Sequence, residues 1–260
     1  VIDSGIHPHE DFGKRIVGRL DLARRWVDYR HGTHVAGIAA GSGGASGGRY
    51  RGVAYEANLV SVRVSSVSEA IEGIRWVMGH RAEYGISVVN LSMGDVARGS
   101  CAQCTWCSTV EEAVQAGLVM VVAAGNDRRR LSTPGISPSA ITVGGLDDRG
   151  TLDPSDDTPY GVLSLEGKPD VVAPAVDVIS VFAPEMSDPD QVDDNYLKMV
   201  GTSMATPAVA GLCALLLQAQ PSLGPARLKS ILIESALICN GMRMIQADRA
   251  LNLALEEGIR

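Results

Sequence analysis

Short apolar runs recur along the chain between longer stretches of helical period, and this alternation restricts the fold more than any other feature. The runs are Leu59–Val64, Ser87–Leu91, Leu118–Ala123, Ala140–Val143 and Asp177–Val181, each rich in Val, Ile or Leu without strict alternation. A strand with one wet face would alternate apolar and polar residues. Runs that do not alternate are expected in a parallel sheet covered on both faces by helices. The helical stretches are His31–Ala40, Ser68–Tyr84, Thr109–Ala116, Ser203–Gln218 and Pro225–Ile238, with a short terminal helix around Ala247–Glu256. In the fifth, Ala226, Leu228, Ile231, Leu232 and Leu237 fall near helical spacing, and Pro225 suits a first helical position. The pattern reads as α/β with βαβ units. At 260 residues one large domain is expected, and 29 Gly with only 4% aromatic residues suits close packing by small and β-branched side chains. No internal repeat is visible, and Gly41–Gly48 is the only low-complexity stretch.

A net charge of −7, from 23 basic and 30 acidic residues, provides no basic field for nucleic acid. No apolar run reaches the roughly 18 residues of a membrane span, so a soluble protein is expected. Only Val1 and Ile2 precede Asp3, whereas a buried strand usually has about five or six residues. The expectation is a domain cut from a longer precursor, lacking most of its first strand and the lead-in to it. No signal peptide is visible at such a start.

In open α/β sheets chemistry gathers at the carboxyl ends of the strands. Asp3 ends the first apolar run, Ser92-Met93-Gly94 follows a second, and Ala124-Gly125-Asn126 follows a third. His31 and Ser203 lie instead at helix N-termini, so all five positions are expected on one rim. An alcohol such as Ser203 needs an adjacent base to become a nucleophile, and the positive end of its helix favours developing negative charge. Pro207 is expected about one turn in, where a missing N–H costs little. His31 has an ordinary pKa of about 6.5, suited to a base at neutral pH. His34, three residues later, shares its helix face, but no Glu lies between the two as in a His-Glu-x-x-His zinc helix. A carboxylate such as Asp3 can orient an imidazole, and an amide such as Asn126 can stabilise an oxyanion.

Three segments carry a family likeness: Val1-Ile2-Asp3-Ser4-Gly5, His31-Gly32-Thr33-His34-Val35-Ala36-Gly37 and Gly201-Thr202-Ser203-Met204-Ala205-Thr206-Pro207. At these residues the chain resembles the subtilisin-like serine proteases, the subtilases of peptidase family S8. The order Asp, His, Ser is the one known for subtilisin. The resemblance runs over nearly the whole chain and implies a three-layer α/β/α fold with a mostly parallel central sheet flanked by helices. It implies a single catalytic domain over residues 1–260 and serine endopeptidase activity through an acyl-enzyme on Ser203. His31 would be the base, Asp3 its orienting acid and Asn126 the oxyanion donor, with His34 buried and structural. Ser92, Met93 and Gly94 would pair with substrate backbone, and Ala123, Ala124 and Gly125 would wall the first specificity pocket. Those small residues suggest tolerance of a medium or large apolar side chain. The resemblance implies polypeptide substrates as partners and allows a propeptide, with no nucleic acid or membrane, for a monomeric protein. Similar subtilases occur both secreted and inside bacterial cells.

No cofactor is needed for this chemistry. Structural calcium is common in the family, and Asp188, Asp190, Asp193 and Asp194 offer oxygen ligands, but without the spacing of a defined loop. A solvated loop is the reading, and no metal site is assigned. The chain also departs from the family. Ser65-Ser66-Val67 stands where many relatives have a longer loop forming the second rail of the cleft. Arg30 precedes the catalytic His, Ala208 replaces a His, Ala175 replaces a Gly, and the acidic Asp153-Pro154-Ser155-Asp156-Asp157 replaces a Phe-Ser-Ser segment. These departures keep open a non-catalytic peptide-binding pseudoprotease; a peptide-cyclising transamidase, which would need a water-excluding cap that no insertion here supplies, is a second, weaker alternative. Cys101, Cys104 and Cys107 form a C-x2-C-x2-C cluster that could hold a metal or a local disulfide, while Cys213 suits a small core position. Five cysteines cannot all pair within one chain.

Overall fold

The run Val119–Ala123 is buried at every residue, and its side chains go alternately to two cores on opposite faces of one sheet. Val119 and Val121 join one core, Met120 and Val122 the other, which is why the sequence shows no alternation there. In this computed structural model the described residues are 1–96, 100–151, 153–155, 157–161, 167–183 and 188–257. Asp156, part of the acidic segment noted above, lies outside them.

The chain runs β1 (Ile2–Asp3), β2 (Ile16–Asp21), α1 (Arg30–Ala40), β3 (Leu59–Arg63), α2 (Val67–Tyr84), β4 (Val88–Leu91), β5 (Asp95–Val96) and α3 (Thr105–Gln115). It continues β6 (Val119–Ala123), β7 (Ser132–Thr133), β8 (Ile141–Asp147), β9 (Thr158–Tyr160), β10 (Val171–Pro174), β11 (Val178–Val181) and β12 (Tyr196–Met199). The last elements are α4 (Thr202–Ala219), α5 (Pro225–Ser235), β13 (Leu237–Cys239), β14 (Met242–Met244) and α6 (Ala247–Glu257). Strands β1, β3 and β2 form a parallel sheet in that order. Strands β4, β6, β8, β10 and β14 form a second parallel array, extended by antiparallel β13 and β9. The two arrays meet where β1 lies beside β4, and Ile2 shares a core with Val89 and Leu91. Helices α2 and α3 cover one face; α4, α5 and α6 cover the other, with α1 against α4. This is the expected α/β/α arrangement.

Three readings from the sequence need correction. Asp177–Val181 was expected as another parallel strand; β11 instead pairs antiparallel with β12 in a separate ribbon over α1. An apolar run does not encode its partner. The helix expected to reach Ile238 stops at Ser235, because Leu237–Cys239 turns through Asn240 and Gly241, both at positive φ, into a hairpin with β14. Third, α4 has the length and mean hydropathy (1.4) of a membrane-crossing helix despite its Ser, Thr, Gly and Pro residues. It is a core helix, 61% buried, with Val209, Leu212 and Cys213 packed on the sheet.

Leu232 sits almost fully buried in the core between α5 and the sheet. Truncating it leaves a cavity as well as lost apolar burial. Leu232→Ala is expected to cost about 2–5 kcal/mol, seen as a lower urea midpoint at unchanged slope. An unchanged midpoint would mean that α5 is not packed as described.

Candidate active site

Asp3 ends β1 beside Arg63 of β3 and is buried. Its Oδ1 accepts two hydrogen bonds of 2.7 Å, from the Ser4 N–H and from Nδ1 of His31. Because Nδ1 donates to the carboxylate, Nε2 of a neutral His31 carries the free lone pair. His31 is the second residue of α1 and about one-third exposed. The start of α1 is pressed onto the exit of β1: a Cβ on Gly32 would lie 2.3 Å from the Gly5 carbonyl oxygen, so only Gly fits. The Gly32 N–H also donates to Ser4 Oγ at 3.0 Å. Burial is the largest influence on His31 and alone would lower its pKa. The charge of Asp3 and the bond to it, with Asp28 adding and Arg30 opposing, outweigh burial and raise it above 6.5.

Ser203 is the second residue of α4. Its hydroxyl donates to the Ser92 carbonyl at 3.0 Å, and the Ser92 hydroxyl donates back to the Ser203 carbonyl at 2.9 Å. Pro207 explains the second bond. In an α-helix residue 207 would donate its N–H to the carbonyl of residue 203, and proline has none. Pro207 is the sixth residue of α4, about one turn in as expected but beyond the first four N–H groups, and its missing donor is replaced by Ser92. Asn90 Nδ2 in turn holds Ser92 Oγ at 3.0 Å.

Asn126 follows β6 and accepts on Oδ1 both the N–H and the hydroxyl of Thr202, at 3.0 and 3.1 Å. That pair of donors fixes which end of the amide is the oxygen and leaves Nδ2 for another partner. Asp3, His31, Ser203 and Asn126 all line one cavity of about 480 Å³. Ser92, Met93, Gly94, Ala123 and Gly125 line it too. Ala124 does not: its side chain is buried against Leu131 and Ile136, on the far side of the wall. Successive residues leaving a strand face opposite ways, so three in a row could not all face the pocket.

Thr202 and Ser132 were missed as site residues. Thr202 lay inside a quoted motif without a role; Ser132 carried no signal, since only tertiary structure brings it to the wall. It does so through β7, which pairs antiparallel with β5. Gly94 is required at that crossing, because a Cβ there would lie 2.8 Å from Ser132 Cβ and 2.9 Å from the Thr133 carbonyl oxygen. His34 is buried, and its Nε2 faces the carbonyls of Val178 (3.1 Å) and Leu197 (3.0 Å). The guanidinium of Arg30 is paired with Asp188, and Asp193 accepts the N–H groups of Asn195 and Tyr196. Among the described residues no three His, Cys, Asp or Glu side chains are grouped to hold a metal.

The subtilase family model matches residues 1–256. The chain is 39% identical over 261 residues to serine protease AprX of Bacillus subtilis, covering 89% of this chain and 59% of the relative. It is 33% identical to alkaline serine exoprotease A of Vibrio alginolyticus, covering 91% of this chain and 41% of the relative. The chain thus spans about half the length of these curated relatives. A solved cold-adapted subtilisin-like serine proteinase superposes with a TM-score of 0.69 at 31% identity, covering 90% of this chain and 80% of that one.

Burial lowers the His34 pKa to about 4, with bonds to Leu197 and Val178 opposing. An unfolded His34 takes up a proton near pH 6.5 that the folded chain refuses until about pH 4. This contribution to stability is present above pH 6.5 and is lost as pH falls towards 4. Imidazole NMR should show His34 neutral at pH 5 while His31 titrates above 6.5. A His34 resonance titrating at 6.5 would exclude the buried, desolvated state.

Proposed function

The chain belongs to the subtilase family, and on that premise we propose that it is a serine endopeptidase hydrolysing peptide bonds of proteins. The observation carrying this reading is the meeting of Asp3, His31, Ser203 and Asn126 at one cavity, from the end of β1, the starts of α1 and α4 and the segment after β6. Ser203 exchanges its bond to the Ser92 carbonyl for one to His31 Nε2, which accepts the proton as oxygen attacks the substrate carbonyl. Asp3 stays ionised and stabilises the imidazolium. The oxyanion receives hydrogen bonds from Asn126 Nδ2 and the Ser203 N–H, a first-turn donor without an intrahelical partner. His31 then protonates the leaving amine, and water resolves the acyl-enzyme by the same steps in reverse. No cofactor takes part. An extended polypeptide would pair with Ser92–Gly94, and the small Ala123 and Gly125 would admit a medium or large apolar side chain.

Ser203→Ala should lower turnover by about 10⁶ and Asn126→Ala by about 10²–10³, on the scale of subtilisin's own variants. A fluorophosphonate should label Ser203 in the parent chain. Folded Ser203→Ala cleaving casein at the parent rate would overturn the assignment.

The base form of His31 is lost as pH falls through its raised pKa, so the acid limb of kcat/KM should lie above pH 6.5. Asp3→Asn removes the main influence raising that pKa. Its limb should therefore move to lower pH while turnover falls about 10⁴, the loss known for the equivalent change in a serine protease. An unmoved limb would mean that another group controls it.

A further inference from the structure

The three clustered cysteines take no part in the chemistry above, yet they are brought together. Cys104 caps the N-terminus of α3, where its Sγ accepts the N–H of Cys107 at 3.3 Å. Cys101 occupies the preceding 3₁₀ turn, and its Sγ reaches Ser137 Oγ at 3.9 Å. Cys107 is fully buried, and its thiol interacts with those of Cys104 and Cys101 and with the Ser137 hydroxyl. All three cysteines are free thiols, with Cys101 and Cys104 partly exposed.

We propose that Cys104 and Cys107 are a reversible dithiol–disulfide couple, a thiol-exchange site reached from solvent through Cys104. Cys104 is the extended N-cap residue and Cys107 the third residue of α3, and the 3.3 Å approach of the Cys104 sulfur to the Cys107 N–H folds the first side chain back over the second. Their burial differs as exchange requires: a partly exposed sulfur can be attacked or attack first, and a buried one closes the ring. A sulfur that carries negative charge during exchange is favoured at a helix N-terminus, and the Cys107 N–H is aimed at Cys104. Burial pushes the Cys107 thiol well above its ordinary pKa, which suits the protected partner. No three such groups are set to hold a metal among the described residues, so exchange is the chemistry the trio offers.

The oxidant is a low-molecular-weight disulfide, RSSR. The Cys104 thiolate attacks one of its sulfurs, forming a mixed disulfide and releasing RS⁻. Cys107 loses its proton and attacks the Cys104 sulfur, releasing the second RS⁻. Two S–H bonds and one S–S bond become one protein S–S bond and two RSH. The ring so closed is short and removes little chain entropy, so bracing the fold is not its use. Its position is more telling. Cys101 touches Ser137, just beyond the β7 segment that pairs with β5 and brings Ser132 to the cavity wall.

The test equilibrates the chain in glutathione buffers of graded GSSG to GSH ratio, quenches with acid, alkylates free thiols and maps disulfides by peptide mass. Two of the five thiols should be lost together, with the link mapped to Cys104–Cys107 and reversed by dithiothreitol. Cys104→Ser, which keeps a good helix cap, should retain four free thiols at every ratio. Five free thiols in the parent at all ratios would overturn the proposal. So would a link through Cys101, an intermolecular link, or loss of two thiols in Cys104→Ser.

Discussion

The reciprocal hydrogen bonds between Ser92 and Ser203 hold the two halves of the site in register. One residue leaves β4 and the other enters α4, elements separated by more than a hundred residues of chain. Pro207 makes the exchange possible by leaving the Ser203 carbonyl without its helical donor. Proline inside a helix normally costs about 3 kcal/mol, chiefly through the lost bond and a clash. Here the carbonyl is satisfied from a neighbouring strand, so the defect becomes an attachment point. The backbone of Ser203 is thereby tied to the sheet itself.

The other half of the rim is built on comparable ties around Arg63. Its side chain donates to the Ser4 and Val27 carbonyls and to Asp21, and lies over the ring of Tyr29. These contacts gather the exit of β1, the end of β2 and the approach to α1. Asp3 and His31 therefore meet at 2.7 Å through a frame anchored on the strand that pairs with Asp3. Asn126 is held differently, by Thr202 from the residue next to Ser203. Each polar group of the site is oriented by a neighbour from another element, which limits its freedom before any substrate arrives.

What the sequence disclosed follows from where the information lies. Buried parallel strands such as β6 and helices such as α2 appeared because burial on two faces and helical period are written into consecutive residues. The residues of the candidate site stood out because each lies inside a dense run of special residues. β11 was assigned to the wrong sheet because strand partners are chosen by tertiary packing. β10 and β14 were overlooked because runs of three or four residues carry little periodic signal. Ala124 was assigned to the pocket because three neighbours looked alike; the reversal of side-chain direction between them decides otherwise. Ser132 could not be found at all, since a chain crossing alone brings it to the cavity.

The departures from the family pattern are absorbed locally. Arg30, which could have charged the rim, is matched by Asp188, and that pair ties the start of α1 to the segment before β12. Ala208 lies beside Val35, Ile38 and Met204, where a methyl group needs no hydrogen-bond partner and a histidine would. Ala175 sits outside the positive-φ region, its carbonyl accepting the Gly201 N–H at 2.8 Å and its own N–H donating to Leu146. The short link after β3 is stiffened: Ser66 caps α2, while Glu69 reaches back to the Ser65 N–H and hydroxyl and to the Arg24 N–H. A cleft with so brief a second rail offers an extended peptide fewer backbone partners on that side. On the proposed reading, its hold on substrate would rest more on the edge at Ser92–Gly94 and on what fills the pocket beside Ala123 and Gly125.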